Sequence, residues 1–113
     1  MGKFLRLTDK ATNKTYTLEF NRKAVETMER QGFNISEFAE KPMTTLPALF
    51  RGAFLMHHPA IKREVVDNLF DKVSNKRELI NKLAEMYTET LDVLLYDDEN
   101  DENEGKVEWE ASF

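Results

Sequence analysis

The 113-residue sequence has no cysteine, three prolines, four glycines and a single tryptophan. Without cysteine, disulfides, thiolate metal sites and thiol redox chemistry are excluded. No apolar run approaches the roughly 20 residues that cross a bilayer. The opening MGKFLRLTDK lacks the apolar core of a secretory leader, and Arg6 stands where a myristoylation signal needs Ser or Thr. These absences predict a soluble, intracellular protein without membrane contact. Phosphate loops, nucleophile elbows and dinucleotide fingerprints are missing too. With no catalytic pattern and no cofactor signature, function has to be read as binding.

Charge is present but unevenly placed. The formal net charge of −5 divides into 15 Lys+Arg against 13 Asp+Glu in residues 1–96 (+2), and one Lys against eight acids in residues 97–113 (−7). A nearly neutral body with an acidic tail lacks the concentrated basic surface that phosphates require, so nucleic acid is not the expected partner. Other proteins are.

The length predicts one domain over residues 1–96, followed by a tail over 97–113. Residues 3–8 and 14–20 alternate in the strand period, with Tyr16, Leu18 and Phe20 on one face, and residues 9–13 close a hairpin. Asn21 is placed to cap a helix carrying Ala24, Val25 and Met28 that stops at Gly32. Pro59 is expected to end one helix and start another, with Ile61, Val65, Leu69 and Val73 on its apolar face. Asn75 and Glu78 form a candidate capping box. The last helix carries the cleanest stripe: Leu79, Ile80, Leu83, Met86, Tyr87, Leu91 and Leu94. The expected class is mainly α (α+β), an N-terminal β-hairpin followed by three to four packed helices and a flexible acidic C-terminal tail.

Between Pro42 and Pro59 the chain reads PMTTLPALFRGAFLMHHP, with Arg51 its only full charge and Pro47 expected in its first turn. On a continuous helix this segment is apolar nearly all round. It is then either the buried centre of the fold, which composition favours, or a surface kept for another chain. As a partner surface its binding residues are Met43, Leu46, Leu49, Phe50, Phe54 and Met56, with Met86 and Tyr87 of the last helix as walls. Methionine and phenylalanine adapt to varied apolar clients, and such a surface also favours self-association. His57 and His58 point about 100° apart on a helix and have no third ligand in register, so a packing role outweighs metal binding.

The tail begins DDENDENE, with six acids in eight residues, too polar to offset its ordering entropy. A calcium loop centred on Gly105 would need Glu where Ala111 stands, so that pattern fails. Beyond it, Trp109 lies with Val107 and Phe113, the composition of a short docking peptide.

Four stretches, YTLEFNRKAVETMERQGF (16–33), KPMTTLPALFRGAFLMHHP (41–59), LINKLAEMYTETLDVLL (79–95) and EGKVEWE (104–110), resemble in combination the small tail assembly chaperones of long-tailed (siphovirus-type) phages and prophages of Gram-positive bacteria. The resemblance implies a non-enzymatic protein that binds the aggregation-prone tape-measure protein and helps recruit major tail-tube subunits. It further implies action in the host bacterial cytoplasm and absence from the mature virion. The alternative is a structural tail component, a connector or tube-end protein, retained in the particle. A single visible hairpin favours it less, because ring subunits usually stack through more extensive β structure.

Overall fold

The computed structural model describes residues 3–95 and 108–113, except for the side chains of residues 94 and 95. Strands β1 (Phe4–Asp9) and β2 (Lys14–Glu19) are followed by helices α1 (Arg22–Arg30), α2 (Pro42–Gly52), α3 (Arg63–Lys72) and α4 (Lys76–Leu95), with a 3-10 turn at Ile35–Glu37 between α1 and α2. An N-terminal antiparallel hairpin and four helices is the expected class. The expectations for a flexible arm at 97–106, for the boundary at 96/97 and for a buried Leu94 lie outside the described residues.

In the hairpin, Leu5 pairs with Leu18 and Leu7 with Tyr16, so one face is continuous and apolar. Asp9 closes the loop by accepting bonds from the Ala11 amide (3.0 Å) and the Thr12 hydroxyl (3.1 Å), and Asn13 takes the left-handed position (φ 58°) that glycine would otherwise suit. A lone hairpin is marginal in water. This one is anchored on the outer edge of β2, where the Glu19 amide donates to the Ala53 carbonyl (3.0 Å) and the Thr17 amide to His58 Nε2 (3.0 Å).

Both sequence-predicted ends of α1 are in place. The Asn21 side chain accepts from the Ala24 amide at 2.8 Å. At the other end Gly32, at φ 93°, lets its own amide reach the Glu29 carbonyl and the Phe33 amide reach that of Met28, both at 3.0 Å. That crossed pair needs the left-handed region, where glycine carries no Cβ penalty.

The apolar segment 42–59 departs from expectation. It is not one helix: α2 stops at Gly52, and residues 53–57 form turns. In a continuing helix the Ala53 carbonyl would accept from residue 57, but the Glu19 amide of β2 occupies it instead. Pro42, rather than Pro47, takes the first helical position, and Pro47 sits inside the helix. Pro47 has no N–H to give to the Met43 carbonyl, so α2 lacks that one i→i−4 bond near its start. Pro59 does not start α3 either. The Ile61 amide turns back to the His58 carbonyl (3.2 Å), and the helix begins at Arg63. Its buried residues are Val66 and Leu69, while Val65 is exposed, so the apolar stripe is Val66, Leu69, Phe70 and Val73 rather than Ile61, Val65, Leu69 and Val73.

Asn75 and Glu78 also differ from a capping box. Asn75 adopts φ 53° and its amide donates to the Glu78 carboxylate at 2.9 Å, a side chain to side chain bond rather than the reciprocal backbone caps.

Helix α2 touches α1, α3 and α4, and α1 in turn meets α4. The core gathers around it: Leu18, Phe20, Val25, Met28, Leu49, Phe50, Ala53, Phe54, Val66, Leu83, Met86 and Tyr87 are buried together. Gly52 lies where α2 crosses α1, and a Cβ there would run into the Met28 side chain. Contact on three sides accounts for the apolar character of α2.

Candidate functional site

Of the residues predicted to bind a partner, five are internal. Leu49, Phe50, Phe54, Met86 and Tyr87 are all buried, and the aromatic ones pack in two groups: Phe50 lies 5.1 Å from both Phe54 and Phe70, centroid to centroid, and Tyr87 lies 5.5 Å from Phe20 and 5.2 Å from Phe33. They hold the fold and are not accessible surface in this conformation. Met56 is partly exposed on the turn after α2 and lines neither of the two grooves described below. Trp109 is 84 % exposed.

Met43 and Leu46 are placed differently. Successive turns of α2 carry them into a groove of about 640 Å³ between α2, α3 and α4. Its apolar lining is Pro42, Met43, Leu46, Pro47, Phe70 and Ile80, and Met43 is 87 % exposed at the entrance. Ile80 and Phe70 reach the groove because α3 and α4 lie against the same helix. Sequence reading had placed Ile80 on the core stripe and had not singled out Phe70. The spacing Val66, Leu69, Phe70, Val73 (i, i+3, i+4, i+7) was the available signal.

The rim is charged. Arg51 Nε donates to Asp67 Oδ1 at 2.8 Å, and Arg63 approaches the other Asp67 oxygen at 3.6 Å, so Asp67 is neutralised from two helices. Partly exposed pairs of this kind contribute little stability, on the order of 0–1 kcal/mol; their effect is to fix the edge of the groove. Lys76 donates to the Asp71 and Val73 carbonyls at 3.0 and 3.1 Å and stands 6.0 Å from the Phe70 ring centroid. Arg77, also on the rim, has no acidic partner among the described residues.

A second groove, about 550 Å³, opens between the end of α1, the 3-10 turn and the α2–α3 connection. Its lining mixes Phe33, Leu55 and Ile61 with Gln31, Asn34, Glu37 and Thr44, so it offers less continuous apolar area. Arg51 stands between the two grooves and lines both.

The histidine pair works on the hairpin. His58 Nε2 accepts from Thr17, and its ring packs 5.3 Å from Tyr16 and 6.1 Å from Phe54. His57 Nε2 lies 2.7 Å from Glu19 Oε1. Among the described residues no three side chains are grouped as metal ligands, and no helix is long and apolar enough to cross a membrane.

Burial pushes the Tyr87 phenol above its ordinary value, and the Glu29 carboxylate adds to the effect. A raised value favours the neutral phenol in the folded state, so its contribution is complete below the ordinary tyrosine value of about 10 and is lost as pH rises beyond it. Alkaline melts should therefore show a fall in stability above about pH 10 that is smaller in Tyr87→Phe. Equal slopes in the two proteins would contradict this.

The chain belongs to the family described as a domain of unknown function (DUF5055), whose pattern matches residues 1–113. Neither the curated proteins nor the solved structures provide a match.

Proposed function

We propose that this chain is a non-enzymatic assembly chaperone that holds apolar helical segments of a partner protein in the α2–α3–α4 groove. The observation that carries the reading is the open apolar lining of Leu46, Phe70 and Ile80, with Met43 at its entrance, inside a charged rim. An amphipathic helix laid in such a groove buries its apolar face while its polar edges meet the rim. Methionine at the entrance, unbranched and polarizable, tolerates clients of differing sequence.

The resemblance to phage tail assembly chaperones supplies the client: the tape-measure protein, a long helical chain prone to aggregate, with the major tail-tube protein as the component recruited next. The same reading puts the protein in the host bacterial cytoplasm and outside the mature virion. Where nothing fills it, an apolar groove of this kind also favours self-association of copies.

Co-expression with the tape-measure protein tests this. The wild type should keep the client in the soluble fraction, and Met43→Glu and Leu46→Glu should lose that effect with unchanged helical circular dichroism. Folded variants that still solubilise the client would show that this groove is not the site. Recovery of the protein in purified virions would instead favour a retained structural component.

A further inference from the structure

We propose that the groove has an occupant within the chain itself: residues 108–113, EWEASF, fold back onto it in cis, with the Trp109 indole over Met43 and Ile80 and the flanking Glu108 and Glu110 directed to Arg77. The docking stands on its own observations. Only its consequence, that a client must displace the segment, rests on the chaperone reading above.

Three features point to this occupant. The first is unsatisfied apolar surface on both sides: Trp109 and Phe113 are exposed, and so is Met43 at the entrance of the groove. An indole is the largest apolar side chain with a polar handle, suited to a groove with a wet rim. The second is charge. Two of the rim cations are already engaged, Arg51 with Asp67 and Lys76 with backbone carbonyls, whereas Arg77 lacks an acidic partner among the described residues. Glu108 and Glu110 bracket Trp109 in sequence, so seating the indole brings a carboxylate toward that guanidinium. Asp71 on the same rim sets the polarity, keeping both acids on the Arg77 side.

The third is reach. Ile80 lies fifteen residues before Leu95 on α4, about 22 Å at 1.5 Å per residue. The twelve residues 96–107 span up to about 40 Å when extended, nearly twice what the return requires. A short tether of this kind presents its segment at about millimolar effective concentration, so a contact too weak to persist between separate molecules is still occupied within one.

Trp109 is the only tryptophan, so its fluorescence reports the docking in the full-length protein without any client. Its emission should lie at shorter wavelength than that of an isolated 108–113 peptide, independently of protein concentration. The shift should be lost in Met43→Glu and reduced in Arg77→Glu, both solvent-exposed positions whose circular dichroism should match the wild type. Because the chain has no cysteine, a nitroxide on Asn81→Cys at the groove edge gives a second readout. It should broaden the Trp109 indole N–H resonance of its own chain, and not that of an unlabelled copy mixed with it.

Peptide-like emission, or a shift that survives both substitutions, would overturn the proposal. A shift that grows with concentration, or broadening between copies, would also overturn it by making a second copy the occupant. These results are separable from the chaperone reading. If docking is seen but the client does not compete with it, the client assignment fails alone. If emission is peptide-like while Met43→Glu still abolishes client solubility, docking fails alone.

Discussion

Phe50→Asp is expected to abolish the cooperative unfolding transition. Phe50 has no exposed surface and packs between Phe54 and Phe70. Deleting a buried phenylalanine costs about 3–5 kcal/mol. An uncompensated carboxylate in its place costs several more, because no cation in the core meets it. Together these approach the 5–15 kcal/mol that typically separates folded from unfolded domains. Thermal melts followed by circular dichroism would decide the matter. Phe50→Leu, which stays apolar, should keep a sharp transition, and Met43→Asp, seven residues earlier on α2 at an exposed site, should melt within about 0.5 kcal/mol of the wild type. A Phe50→Asp protein with a normal melt would mean that α2 does not pack as described.

The second large effect is at Leu83. It is fully buried where α4 faces the core, and truncation to alanine should cost about 2–5 kcal/mol. For a domain of this size that corresponds to a fall in Tm of roughly 10 °C or more. Val93, on the same helix but exposed, provides the control: Val93→Ala should move stability by less than about 0.5 kcal/mol. A similarly small change at Leu83 would show that α4 does not use this face.

How legible the fold was varied by element. The hairpin, both ends of α1 and the stripe of α4 could be read directly, because each depends on neighbours in sequence: alternation in a strand, an asparagine oxygen three residues from an amide, a glycine able to adopt positive φ, apolar residues at helical spacing. The apolar segment after Pro42 was identified as exceptional, and the packing of α2 against three other helices accounts for it. Its internal structure was not legible. Local periodicity extended the helix to Pro59, whereas a hydrogen bond from Glu19, more than thirty residues away, takes the Ala53 carbonyl and ends it early.

The candidate site follows the same division. Composition marked Met43, Leu46, Phe50 and Phe54 as one apolar group, and nothing in the sequence distinguishes those that line a groove from those that fill the core. That distinction arises when α3 and α4 come to rest on α2: Phe50 and Phe54 then fall inside, while Met43 and Leu46 remain at the edge beside Phe70 and Ile80. The sequence by itself determined the strands, the helix-forming segments, the absence of thiol chemistry and the separation of an almost neutral body from an acidic tail, since these depend on residue type and short-range spacing. Which apolar side chains face solvent, where α2 stops and what the histidines bond were decided only by the tertiary structure, because each depends on a partner brought close from a distant part of the chain.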